Sequence, residues 1–341
     1  MENEPAILHS LAIDNGQIVE VVDPALAKQL IGSEQLGWVH LDGTNPSAPA
    51  ILETHSATLE RLTIDALFSE ETRPRASQFD KGLLIVLRGV NLNDSAAPED
   101  MISLRLWLDK YCLISIQRRP LKAITDTYHS LLEHHAPKST GEILVLMVTR
   151  LFFRMQPTFS ELGDQIEDLE DIFIENPASI SNRQIVQLRK KIMAFRRYLA
   201  PQKQAIAFML ESDIPWLDKH SKRQLRESLE TVTRHLENLD SFRERAQILS
   251  GELAHFHAGK MNQNMYILSL IAAIFLPLTF LPSLLGVNIG GIPGADYGSA
   301  FALFCRLLFA IMLIQIWIFR RLKWLYGKGQ PADRPRAGLM A

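Results

Sequence analysis

The chain has 341 residues, 47% hydrophobic and 22% charged, which excludes a disordered polymer and leaves room for two or three domains. Its 36 Lys and Arg against 38 Asp and Glu give a formal charge of −2, so no overall basic excess marks a nucleic-acid partner. The two cysteines, Cys112 and Cys305, cannot build a disulfide framework or a cysteine-rich zinc finger.

The N-terminus carries Glu2 and Glu4 with no long apolar run behind them, unlike a signal peptide. Residues 1–135 read as an α/β domain. Strand-like runs fall at residues 17–22, 37–41, 82–90, 102–108 and 111–116, and the last two flank Asp109-Lys110, a hairpin-turn pair. Leu59, Leu62 and Leu67 give residues 58–68 a helical spacing, and residues 93–99 form a polar loop. His134 and His135 fall in a loop-like stretch. From Thr140 onward the pattern is helical. The apolar run 143–149 is too short to span a bilayer and reads as a buried helix segment. One helix covers residues 140–175 and stops before Asn176-Pro177; a second covers 181–210, with a kink expected at Pro201.

A third helix begins near Asp218 and meets no proline until Pro277. Leu225, Val232, Leu239, Ala246 and Leu253 repeat every seven residues, with Leu229 and Leu236, and Phe242, Leu249 and Phe256, on neighbouring rows. A continuous helix over residues 218–285 is about 100 Å long at roughly 1.5 Å per residue. It cannot bury its faces alone, which implies a parallel bundle of copies of itself.

No charged residue occurs from Met261 to Ala295. A bilayer core needs roughly 20 apolar residues, so residues 265–285 form a transmembrane helix. The turn-rich stretch GVNIGGIPGADYG follows at 286–298, and residues 299–319 form a second span interrupted only by Arg306. Arg320, Arg321, Lys323 and Lys328 follow the second span, and Arg243, Arg245 and Lys260 precede the first, while the connecting loop has no Lys or Arg and a single charge, Asp296. Both termini are therefore expected in the cytoplasm and the loop outside, with Trp317, Trp324 and Tyr326 at the inner interface. Arg306 sits about 11 Å into its helix, where snorkelling or packing is favoured over a cationic pore ring that would repel a cation. The domain organisation expected is an α/β cytoplasmic domain (1–135), a helical cytoplasmic domain and stalk (136–260), a two-helix transmembrane domain (261–326) and a disordered basic tail (327–341).

The segment IFLPLTFLPSLLGVNIGGIPG, residues 274–294, resembles the CorA superfamily of divalent-cation transporters, which carries a Pro-Leu-Thr-Phe run and a Gly-Met-Asn signature at the outer end of the first of two transmembrane helices. Here the signature reads Gly286-Val287-Asn288. This form, followed by Gly290-Gly291-Ile292-Pro293-Gly294, is similar to the ZntB branch, described as zinc transporters, as is Glu71-Thr72-Arg73-Pro74-Arg75. The resemblance implies an α+β cytoplasmic domain with a long stalk helix and two C-terminal transmembrane helices, in a homopentameric CorA-like fold of a bacterial-type inner membrane. It implies zinc or another divalent cation as cargo and the first span as pore lining, with no cofactor. It also admits coupling to protons. The first span holds no carboxylate, histidine or cysteine, so a proton route would run through water, Asp296 or the cytoplasmic funnel. Departures from the family are Leu285 in place of an aromatic before the signature, the extra Pro282 and a loop poor in acidic residues.

Counting inward from Asn288, Ser283, Thr279, Ala272 and Asn262 alternate with Leu276, Leu268 and Met265 at steps of three or four, one face of one helix. A tight dehydrated zinc site wants Cys or His ligands, which this face lacks. A ring of Asn288 amides instead suits a hydrated divalent ion, which holds its waters strongly. Leu268, Leu276 and Met265 can form constrictions that exclude water. Gly286 is expected to let the chain leave the helix through a left-handed turn. His255, seven residues before Asn262, extends the face into the cytoplasmic funnel as a candidate zinc or pH-responsive ring, against the plainer reading of an interhelical residue. Glu161, Asp164, Asp168, Asp171 and Glu175 follow a 3-4-3-4 spacing, a candidate cation-concentrating face whose plainer reading is the solvated side of an amphipathic helix; Arg189, Lys190, Arg196 and Arg197 on the next helix could pair with it. There is no phosphate loop, G-x-S-x-G or H-E-x-x-H, so enzymatic chemistry has no seat. The readings left are a zinc transporter, a CorA-like magnesium or cobalt channel, and a membrane-tethered oligomeric sensor.

Overall fold

The computed structural model describes residues 6–54, 59–70, 72–133, 136–286 and 297–321. The chain divides into two units, Met1–Leu253 and Ala254–Ala341. The first is built on a seven-stranded sheet ordered β2-β1-β3-β7-β6-β5-β4. In chain order these are β1 (Ile7–Asp14), β2 (Gln17–Glu20), β3 (Gly37–Asp42), β4 (Arg75–Phe79), β5 (Gly82–Gly89), β6 (Ile102–Leu108) and β7 (Cys112–Gln117). β3 and β7 pair in parallel, Val39 opposite Ile114, and the other neighbours are antiparallel.

Local chemistry sets the turns. Asn15 and Gly16 both adopt positive φ, 50° and 76°, the backbone a tight hairpin between β1 and β2 requires. At the β6–β7 hairpin, Asp109 Oδ1 accepts from the N–H groups of Tyr111 and Cys112, each at 2.8 Å. The sheet is covered on both faces. On one side lie α1 (Pro24–Leu30), α2 (Ala48–Glu53) and α3 (Arg61–Phe68), whose Leu30, Leu52 and Leu67 share a core with Val39, Leu84 and Trp107. On the other side Leu83, Ile85 and Leu106 share a core with α4 (Lys122–Glu133), α5 (Thr140–Glu175), α6 (Asn182–Glu211) and the first part of α7 (Lys219–Leu285). β1 and β4 are the strands the sequence pattern misses. β1 breaks its apolar run with His9 and Ser10, and β4 is a polar edge strand, Arg-Ala-Ser-Gln-Phe.

Capping residues set the starts of α5 and α6. Ser139 accepts from the Glu142 N–H at the start of α5, and Ser181 and Gln184 form a capping box at the start of α6. α6 passes through Pro201 and continues to Glu211.

The heptad row of α7 is buried within one chain. Leu225, Val232, Leu239, Ala246 and Leu253 are at most 2% exposed, in one core with Phe159, Ile166, Ile192 and Phe195 of α5 and α6. Side chains bridge the helices: Phe242 packs against Gly163, His235 against Phe159 with ring centroids 4.7 Å apart, Arg245 makes a two-pronged bond to Glu170 at 2.6 and 2.9 Å, and Arg196 meets Asp240 at 2.7 Å. The expectation that copies of α7 fill this seam is therefore corrected. α5 and α6 of the same chain share its core, and the contacts just named at residues 235–245 tie the three helices together.

Apolar burial outweighs the ion pairs here. Leu239→Ala should cost about 2–5 kcal/mol, whereas Arg245→Gln should cost under about 1 kcal/mol, since both partners are about one-third exposed. Denaturant unfolding of the detergent-solubilised protein checks the ranking, and equal costs would contradict it. Burial also lowers the pKa of His40 and of His235 to about 4 each. An unfolded histidine protonates near 6.5, so between about 6.5 and 4 the unfolded chain binds more protons than the folded one. The stability these neutral rings contribute is present above pH 6.5 and lost as pH falls toward 4. The thermal midpoint should drop over that range, and His235→Phe should flatten the drop; a slope untouched by the substitution would count against it.

Candidate ion pathway on the membrane helices

The second unit contains the end of α7 and α8 (Ala300–Arg321). Both helices are long and apolar enough to cross a membrane, and none of the residues in their most apolar windows is buried. Past Leu253, no residue of α7 is buried among those described. Leu270, Ala273, Ile274, Pro277, Leu278 and Leu281 are half-buried and follow helical spacing, so they form the sheltered stripe. On α8 the sheltered positions are Ala300, Phe304, Leu308, Ile311, Met312, Gln315, Ile316 and the buried Phe319.

The stripe expected from the sequence lies on the uncovered side of α7. Asn262, Ala272, Thr279 and Ser283 are exposed, and Met265, Leu268 and Leu276 are 60, 68 and 71% exposed. Leu276 and the sheltered Leu278 are about 200° apart around the axis. Phe275, Phe280 and Leu284 are exposed as well. Chemistry separates the two uncovered sets: one is wholly large and apolar, the other mixes hydroxyl, amide and methyl groups with leucine and methionine. Ser269 belongs to the mixed stripe and sequence reasoning missed it. Its signal is the spacing, four after Met265 and three before Ala272.

α7 stays helical past Pro277 and Pro282 to Leu285. The Thr279 hydroxyl donates to the carbonyls of Phe275 and Leu276 at 2.9 and 3.1 Å, which commits its proton and leaves oxygen lone pairs on the exposed side. Gly286 corrects an expectation. It is absent from the positive-φ residues; instead a Cβ there would stand 2.9 Å from the Pro282 carbonyl, to which its own N–H bonds at 2.8 Å. Close approach, rather than a left-handed turn, requires glycine. Val287, Asn288 and Asp296 lie outside the described residues.

His255 is exposed on α7. Glu161, Asp164, Asp168, Asp171 and Glu175 are all exposed along α5, and Asp168 shares a groove with Lys190 and Lys191 of α6. Arg196 pairs with Asp240 of α7, so this α6 cation does not neutralise that face. Among the described residues no three His, Cys, Asp or Glu side chains converge as a metal site. Two polar features of α8 stand out. Arg306 is exposed, and the Oε1 of Gln315 is buried without a hydrogen-bond partner.

The comparisons with known proteins agree with this architecture. The family described as CorA-like Mg2+ transporter protein matches residues 33–321. The divalent cation transporter CmaX of Pseudomonas aeruginosa is 38% identical over 298 residues, 87% of this chain and 89% of that one. The zinc transport protein ZntB of Yersinia enterocolitica is 33% identical over 324 residues, 91% of this chain and 98% of that one. The solved structure of full-length CmaX superposes with a TM-score of 0.80 at 34% identity, covering 95% of this chain and all of that one. The α/β unit, the long helix and the two apolar C-terminal helices thus place the chain in the CorA-like Mg2+ transporter family, a family of divalent-cation transporters rather than of enzymes.

Proposed function

We propose that five copies of the chain assemble in a bacterial-type inner membrane, termini in the cytoplasm, with the mixed stripe of α7 lining a central pore for a hydrated divalent cation, zinc foremost. The observation that carries this reading is the uncharged, uncovered stripe Asn262–Met265–Leu268–Ala272–Leu276–Thr279–Ser283, which faces away from the sheltered side of α7. In a lone chain, hydroxyl and amide groups on that side would face hydrocarbon; around an axis they face water and one another.

The stripe offers oxygen and apolar groups and no thiolate, imidazole or carboxylate. Such a lining does not replace the water shell of a strongly hydrated divalent ion. It lets the ion pass with its waters, which Thr279, Ser283 and the Asn288 amides can accept hydrogen bonds from. Leu268, Leu276 and Met265 then act as constrictions where a narrow column dewets and blocks the ion until the ring widens. Asp296 in the outer loop raises cation concentration at the mouth only modestly, and a ring of His255 stands at the cytoplasmic end. The relatives named for zinc transport favour zinc. The description of the family model supports a second reading, a magnesium-type channel. Proton coupling has no ionisable carboxylate or imidazole along the stripe, so it must use water or the two mouths.

Proteoliposomes loaded with a zinc-sensitive dye decide among these. Zinc flux should exceed magnesium flux, and Asn288→Ala should cut it at least tenfold with the oligomer intact. A membrane-tethered sensor would show no flux, and equal inhibition by magnesium would favour the second reading. Flux indifferent to a pH gradient would remove proton coupling. At the constriction, Leu276→Ser should raise resting flux, because a wetted ring no longer excludes the ion; unchanged or lower flux would contradict gating by dewetting at that level.

A further inference from the structure

Charge is distributed very unevenly along the chain. From residue 254 to the C-terminus there are eight Lys and Arg against two Asp, a net of +6, while the whole chain is −2. The described part of this unit contains no Asp or Glu at all. Lys260 of α7 and Arg320 and Arg321 of α8 are exposed, and none of them takes part in a salt bridge among the described residues.

Helix geometry puts these three cations at one level. Arg320 lies 20 residues from Ala300, about 30 Å along α8, and Lys260 lies 25 residues from Leu285, about 37 Å along α7. The hydrocarbon core is about 30 Å thick. With the loop-side ends at one membrane face, the arginines reach the far edge of the hydrocarbon and the lysine the headgroup layer beyond it. The guanidinium of Arg321 sits 5.2 Å over the ring of Trp317, an aromatic that favours this same interface. Arg306 belongs to the opposite end, about 9 Å from Ala300. In sequence, Lys323 and Lys328 add to the run after α8.

We propose that Lys260, Arg320 and Arg321 form a docking surface for the phosphate headgroups of anionic phospholipids. Among the described residues of its unit each cation lacks an acidic counter-ion; each lies within side-chain reach of the phosphate layer and carries donors suited to a phosphodiester, which the arginine fork can bind in two-pronged fashion. A zwitterionic headgroup supplies the same phosphate but brings its own cation, so the net attraction selects anionic lipid. The inference rests on α7 and α8 spanning the membrane, and on neither the pore nor the identity of the transported ion.

The test reconstitutes the full chain in vesicles of phosphatidylcholine containing a minority of phosphatidylglycerol, re-extracts it in mild detergent and analyses the headgroups that accompany it. Phosphatidylglycerol should be enriched at least about fivefold over its bulk share, the contribution of one basic residue near an anionic surface. Lys260→Gln, Arg320→Gln and Arg321→Gln together should abolish the enrichment, and Arg306→Gln should keep it. Wild-type enrichment should fall as salt rises, a measurement that needs no variant to fold. Equal recovery of the two lipids, enrichment that survives in the triple variant or resists salt, or displacement by inorganic phosphate at an ionic strength where chloride leaves the enrichment intact would overturn the proposal. Extraction of the chain from vesicles by an alkaline wash would instead overturn the spanning reading on which it rests.

Discussion

The rest of the molecule depends on one change along α7. Up to Leu253 the helix buries a leucine-rich row against its own chain; from Ala254 onward none of its described residues is buried. Burying a leucine side chain contributes about 1.5–3 kcal/mol. Leaving Met265, Leu268, Phe275, Leu276 and Phe280 uncovered in water would therefore forgo up to about 7–15 kcal/mol, comparable to a domain's whole stability of about 5–15 kcal/mol. Lipid and further copies of the chain are what can cover them.

That division of labour changes what the heptad pattern means. A seven-residue apolar repeat fits copies of one helix wound together, and it equally fits two other helices of the same chain. Here α5 and α6 take the row, and the ion pairs Arg245–Glu170 and Arg196–Asp240 bridge α7 to them. The demand for other copies shifts to the apolar end, where the mixed stripe needs an environment that lipid does not supply. On the proposed assembly, permeation and oligomerisation would share one cause, since the groups least suited to hydrocarbon are the ones a shared axis would hydrate.

Much of this was legible in residues. The end of α5 follows from Asn176-Pro177, the two spans from uncharged length, and the stripe from steps of three and four. Other features leave no local trace. The parallel pairing of β3 with β7 joins residues far apart in sequence. Among the described residues, Arg105 on β6, 1% exposed, bonds the backbone carbonyls of Ser69 and Glu70 and leaves its Nε and Nη1 unpartnered, an arrangement that no spacing announces. Gly286 invites a left-handed reading because glycine permits one, whereas the actual constraint is a carbonyl one turn away. The sequence also cannot say which helices fill a heptad row, because the pattern specifies a face and leaves its partner open.

Reaction of single cysteines with a membrane-impermeant thiol reagent, in the assembled protein with Cys305 replaced, tests the stripe most directly. Cysteines at Leu268, Ala272, Leu276, Thr279 and Ser283 should react, and a divalent cation should slow them, while cysteines at Phe275, Phe280 and Leu284 should stay unmodified. Reaction of the second group with protection of the first would place water on the wrong side of α7 and contradict the account.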